Sequence, residues 1–229
     1  MSDTDAFETG GRPFAIKDCA VIAIATGRQA WTAEELREGI AESPAESLYH
    51  HFWTGLLQPR FEEREYNNDF AGWAAHYLHE HRLGEQLAVI DPTAYPDLEA
   101  LRTLLLELLD HTMEKDEILA SKRADRPFDF IRSQIVIFDS RWRIAQPHEL
   151  LRVVGELPLE SIFYHFIDAR RRDPPGQDDF SAWLKGFGEP MTELVSALQR
   201  LDYYFDGLSR LRDDLQALLE HYLPRELQS

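Results

Sequence analysis

The sequence predicts a mainly α protein with one short β-strand per repeat, a small α+β fold arranged as a pseudo-two-fold tandem duplication. Three observations carry this. At an offset of 114, Pro13-Phe14 falls on Pro127-Phe128, Glu35-Leu36 on Glu149-Leu150, and Glu42-x-Pro44-x-Glu46-Ser47 on Glu156-x-Pro158-x-Glu160-Ser161. At an offset of 110, Asp69-Phe70-x-x-Trp73 falls on Asp179-Phe180-x-x-Trp183, and Leu101, Arg102, Leu105 and Leu108 fall on Leu211, Arg212, Leu215 and Leu218. Within each copy apolar residues recur mostly at helical spacing, with a single β-branched run at the start.

That run, Cys19–Ala25 in the first copy and Gln134–Phe138 in the second, is rich in Val and Ile and closes on Thr26-Gly27 or Asp139-Ser140, which reads as a strand. A lone strand leaves its backbone groups unsatisfied, so the two are expected to pair with each other, antiparallel as a two-fold requires. Thr32-x-x-Glu35 is a capping box opening a helix with Leu36 and Ile40 on one face, and Pro147 takes the first-turn position in the second copy. Ser43-Pro44 and Leu157-Pro158 restart the chain as a second helix, which carries Leu48-Tyr49-His50-His51-Phe52 and Ile162-Phe163-Tyr164-His165-Phe166. A third helix is expected from Asp69 and Asp179, both read as N-caps, with Phe70/Trp73/Tyr77 and Phe180/Trp183/Phe187 on one face. The last helix shows the stripes Leu98/Leu101/Leu105/Leu108 and Leu208/Leu211/Leu215/Leu218. Phe52, Phe70, Trp73, Leu101, Leu105 and Leu108, with Phe166, Phe180, Trp183, Leu211, Leu215 and Leu218, are the expected core.

The repeats are bounded at 14–113 and 128–223. They are flanked by an acidic tail over 1–13 and a C-terminal tail over 224–229, and joined by a charged linker over 114–127 without apolar periodicity. Twenty-four basic against 41 acidic residues give a net charge of −17, a field that repels phosphate and anionic lipid and argues against nucleic acid or a membrane surface as partner. The single cysteine, Cys19, and an acidic N-terminus without a basic, apolar leader suit a reducing, cytoplasmic setting. Arg170-Arg171-Arg172, beside Pro174-Pro175, reads as a solvated charged face.

At the Tyr-His-His-Phe and Asn68-Asp69-Phe70-x-x-Trp73 segments, and at Phe163-Tyr164-His165-Phe166 and Asp178-Asp179-Phe180-x-x-Trp183, the chain resembles a bacterial domain-of-unknown-function family built of this same duplicated unit. The resemblance extends over nearly the whole chain, including Leu83-Gly84-Glu85-Gln86-Leu87-Ala88, and implies no activity, cofactor or catalytic residue.

Nucleotide-binding glycine motifs, a G-x-S-x-G elbow and H-E-x-x-H are absent, so the sequence points to no cofactor and to no catalytic set. The candidate binding residues are His51, Asp69, Trp73, His165, Asp179 and Trp183, the polar and indole positions that recur in both copies. His51 and His165 are expected to be part-buried and hydrogen-bonded. His50, His51, Glu46 and Asp69, with His76, His79 and His81 on the next helix, could approach a metal, but their spacing is not diagnostic of a ligand set, and no metal is expected. The leading expectation is a non-enzymatic module that binds a protein partner or a small polar ligand at the seam between repeats. The alternative is an enzyme or metal-dependent accessory protein using the matched His/Asp sets.

Overall fold

The structure is a computed structural model, describing residues 12–57, 65–172 and 175–223. Most of the tails assigned to 1–13 and 224–229 lie outside the described residues, as does Pro174. The chain is mainly helical around a two-stranded antiparallel sheet. β1 (Phe14–Ala30) is followed by α1 (Ala33–Glu42), α2 (Ala45–Trp53), α3 (Asp69–His76), α4 (His81–Ala88), α5 (Leu98–Lys115) and α6 (Glu117–Ser121). Then come β2 (Phe128–Ile144), α7 (Pro147–Val154), α8 (Leu159–Ile162), α9 (Asp179–Leu184), α10 (Thr192–Leu198) and α11 (Gly207–Tyr222). α8 continues into a π-helical turn over Phe163–Ile167.

The two strands are far longer than the β-branched runs, 17 residues each. Their outer thirds lack that composition and are strand because they pair: Thr26 Oγ1 donates to the Phe130 carbonyl at 2.7 Å and Ser140 Oγ to the Ile16 carbonyl at 2.5 Å. Two compact units result, one of Val21–Ile135 and one of Met1–Ala20 with Val136–Ser229, so the division runs through both strands.

In the unit of 21–135, Leu36, Ile40, Leu48, Phe52, Phe70, Leu101, Leu105 and Leu109 bury against Phe128 and Phe130 from the start of β2. Gly39 on α1 permits this: a Cβ there would sit 2.1 Å from Cζ of Phe130. In the other unit, Ile16 from the start of β1 joins Leu150, Val154, Ile162, Phe166, Phe180, Leu211, Leu215 and Leu219.

Several expectations change in detail. Asn68 and Asp178, not Asp69 and Asp179, are the N-caps of α3 and α9, accepting from Ala71 N at 2.9 Å and Ser181 N at 2.7 Å. The cap must be the extended residue before the first helical one, and Asn68 has that backbone at φ −132° and ψ 159°. The leucine stripe turns through Leu109 and Leu219, leaving Leu108 and Leu218 half-buried, and Trp183 is also only half-buried. Glu35 reaches Trp31 N rather than the Thr32 amide, so the capping box is one-sided. The linker segment holds α6, anchored by buried Leu119. His76, His79 and His81 do not share a helix, because the chain turns at His79, whose φ is 57°.

Candidate functional site

The recurring Tyr/Phe-rich helix places one histidine on each strand. On α2, His51 is 3% exposed; its Nδ1 lies 2.9 Å from Asp69 Oδ2, and its Nε2 accepts from the Ile131 amide at 3.1 Å. On the π-helical turn, His165 is 2% exposed; its Nδ1 lies 2.7 Å from Asp179 Oδ2, and its Nε2 accepts from the Lys17 amide at 2.7 Å. A ring nitrogen that accepts from an amide carries no proton, so both neutral rings are protonated on Nδ1, and that N–H donates to the carboxylate. Each histidine thus clamps a helix to a strand from the other half of the sequence. The tryptophans repeat the arrangement: Trp73 Nε1 donates to the Arg126 carbonyl at 2.8 Å and Trp183 Nε1 to that of Arg12 at 3.3 Å.

The clamps limit the chemistry available. A general base needs a ring nitrogen within reach of substrate, and here each Nε2 is already occupied by a backbone donor. Metal ligation faces the same obstacle. Donor atoms of His50, His51 and Asp69 lie within 4.8 Å of one another, but His50 Nδ1 meets Ser133 Oγ at 2.8 Å, and His51 would have to release either Ile131 or Asp69. Burial, and secondarily the neighbouring His51, push the His50 pKa down to about 4, so it stays neutral.

Beside the first clamp lies a cleft of about 370 Å³, where the start of β2 crosses α3. His51, Asp69 and Trp73 form part of its wall, and Phe128 and Ile131 come from the strand. Its mouth carries Glu65, Tyr66, His76 and Asp129; sequence reasoning weighed His76 only as a possible metal ligand, and missed the other three because no like residue stands at the matching offsets. Glu65 Oε2 lies 3.4 Å from His76 Nε2, and Asp129 Oδ1 accepts from Gln29 Nε2 at 2.8 Å. Tyr77, on the far wall, has the Arg126 guanidinium 5.6 Å from its ring centre.

Beside the second clamp the surroundings differ. Arg172 Nη2 binds Asp179 Oδ2 at 2.8 Å and its guanidinium lies 4.2 Å over the Tyr164 ring. Arg170 lies between Phe166 and Tyr203, at 4.5 and 4.7 Å, and reaches buried Asp178 at 3.1 Å. Burial raises the Asp178 pKa, against the opposing pull of the Ser181 amide and of Arg170. The arginine run is therefore no solvated face: Arg170 and Arg172 are half-buried braces, and exposed Arg171 is paired to Asp168.

Of the six candidate residues, the structure brings His51, Asp69 and Trp73 together in one unit, and His165, Asp179 and Trp183 in the other. The rings of His165 and Trp183 meet across Phe14, which lies 4.9 Å from His165 and 5.5 Å from Trp183. No helix among the described residues is long and apolar enough to cross a membrane.

No curated protein matches the chain. Among solved structures, that of OrfY from Thermoproteus tenax is similar, at 26% identity and a TM-score of 0.80, over 94% of this chain and 98% of that one. Over residues 11–220, which take in both clamps and the cleft, the chain matches the description of DUF5752, and it belongs to this family of unknown function.

Proposed function

We propose that the protein is a non-enzymatic, cytoplasmic binding module whose recognition site is the cleft beside the first clamp, where the strand of one repeat crosses the helices of the other. The carrying observation is that both ring nitrogens of His51 and of His165 are spent on holding a carboxylate and a strand amide, while the adjoining cleft of about 370 Å³ is left with a polar mouth and an aromatic wall. That volume is at the small end of ligand sites, about 300–1,000 Å³, and suits a small polar molecule or one side chain of a protein partner.

This reading takes the chain as a tandem duplication in which the opening strands are exchanged. The clamp, the tryptophan bond and the Thr26/Ser140 strand bonds then recur at offsets of 114 and 110. One copy kept only the clamp, and the other added the groups around the cleft. A bacterial origin would fit the resemblance at the aromatic segments, and the lone buried Cys19 suits a reducing compartment.

Gly72 lines the cleft with nothing within 4 Å of where its Cβ would be, so Gly72→Phe puts a ring into the space without replacing any clamp residue. A thermal-shift screen of small polar compounds and short peptides is expected to give a binder whose effect vanishes in Gly72→Phe. A panel in which no binder depends on Gly72 counts against the reading. A reaction rate lost in His51→Ala and His165→Ala with folding intact would replace it by the enzymatic alternative, and stoichiometric metal in the purified protein by the metal-dependent one.

A further inference from the structure

We infer that the cleft takes a guanidinium group, carried by a small organic cation or by an arginine side chain of a partner. The inference rests on the reading that the cleft is the recognition site.

The first observation is an internal comparison. The second clamp holds its geometry with Pro175, Gly176, Gly186 and Ala15 at the places that Glu65, Tyr66, His76 and Asp129 occupy around the first. The fold of a clamp therefore does not need those four groups, and their presence at one cleft calls for another reason. Two of them are carboxylates, joined by Asp69 in the wall, whose side chain is 39% exposed. Glu65 meets His76 and the Tyr66 hydroxyl, and Asp129 the uncharged amide of Gln29, so none of these partners brings a permanent opposite charge. At the corresponding strand position Ile131 faces Lys17, so the second site is less acidic on both counts.

The second observation is that the chain itself shows what such a site holds. At the second clamp Arg172 puts one nitrogen on the clamp carboxylate, at 2.8 Å, and its plane over an aromatic ring, at 4.2 Å. Arg170 repeats the pattern on Asp178 and two rings. A planar, permanently charged fork bonds a carboxylate with two donors and stacks on a ring face, and an ammonium does neither as well. Tyr66 and Trp73 offer the ring surface at the first cleft, and Glu65 and Asp129 the charge.

The test is an NMR titration of the full chain, read on the indole N–H of Trp73, which is assigned by Trp73→Phe. The probes are agmatine, a blocked Gly-Arg-Gly tripeptide and the neutral isostere butylurea. A saturable shift is expected with at least one guanidinium probe. Its Kd should weaken about five-fold or more in Glu65→Gln and in Asp129→Asn, and weaken again as salt is raised, because both carboxylates are at the surface. Agmatine alone binding assigns a small-molecule source, the tripeptide alone a protein source, and either supports the chemistry.

Equal binding of butylurea, or no shift with any probe, overturns it. A neutral or anionic compound that shifts Trp73 and is blocked by Gly72→Phe would keep the cleft as the site and discard the guanidinium. Guanidinium binding insensitive to Gly72→Phe would instead discard the cleft.

Discussion

Replacing His51 by phenylalanine separates the clamp's hydrogen bonds from its packing. The new ring keeps the contacts of the imidazole with Phe128 and Phe70, whose centroids lie 4.6 and 5.2 Å away. What is lost is the acceptor for the Ile131 amide and the donor to Asp69. An orphaned part-buried amide costs about 1–3 kcal/mol. The Asp69 carboxylate can turn to water and adds at most about 0.5 kcal/mol. The expected loss is about 1–3.5 kcal/mol, which for a chain of this size lowers Tm by roughly 2–14 °C. Scanning calorimetry and urea titration measure it, and His165→Phe should behave alike, since it orphans the Lys17 amide. A His51→Phe protein melting within about 1 °C of the parent would refute the clamp and return His51 to the list of candidate reactive groups.

Gly39→Ala should destabilise by about 1–3 kcal/mol in denaturant titration, although alanine is the better helix former by about 1 kcal/mol, because its methyl would meet the buried Phe130 ring. Phe70→Ala and Phe180→Ala, each removing a fully buried ring, should cost about 3–5 kcal/mol by the same measurement. Stability should fall in acid: with the His50 pKa at about 4 in the fold against about 6.5 unfolded, the unfolded chain binds more protons between those values. Its contribution, on the order of 3 kcal/mol, is whole above about pH 6.5 and lost towards pH 4, and His50→Gln should flatten that limb of a pH–stability curve. The Cys19 thiol, pushed up to about 12 by burial and nearby carboxylates, should label with a disulfide reagent far more slowly in the native protein than in urea.

Helical periodicity made α1, α3, α5 and α11 legible, because their buried faces carry Leu36/Ile40, Phe70/Trp73, Leu101/Leu105 and Leu211/Leu215 at the required spacing, whereas α2, buried all round from Ser47 to Trp53, was marked by the Ser43-Pro44 restart. The cap of α3 was misread by one residue because Asn68 and Asp69 are both good cappers and backbone geometry, not residue type, decides between them. Strand length was not legible: Phe14–Lys17 and Arg141–Ile144 hold only two apolar strand formers each between charged or small residues, not a continuous β-branched run, and they extend with a partner alongside. The histidine positions were visible as a repeat, but their partners were not. Lys17 and Ile131 are chosen by backbone N–H groups, which leave no mark in the sequence. The mouth of the cleft was not legible for the opposite reason, since Glu65, Tyr66 and Asp129 have no like residue at the matching offsets, and His76 was read only as a possible metal ligand.

Because each histidine grips a strand encoded far away, 80 residues on for His51 and 148 back for His165, neither half of the gene product can finish folding alone. A ribosome that has released residues 14–113 has delivered the apolar surface of α1 to α5 with no Phe128 or Phe130 to cover it, so the early helices must wait for the chain to reach about residue 135. The segment around Ile16, made first, waits longest, until α8 and α9 emerge to receive it. Such delayed closure exposes nascent chains to aggregation and makes the order of synthesis part of the folding problem. A chain cut at residue 113 should therefore be insoluble or molten, whereas adding residues 114–135 should restore a cooperative melt to that half.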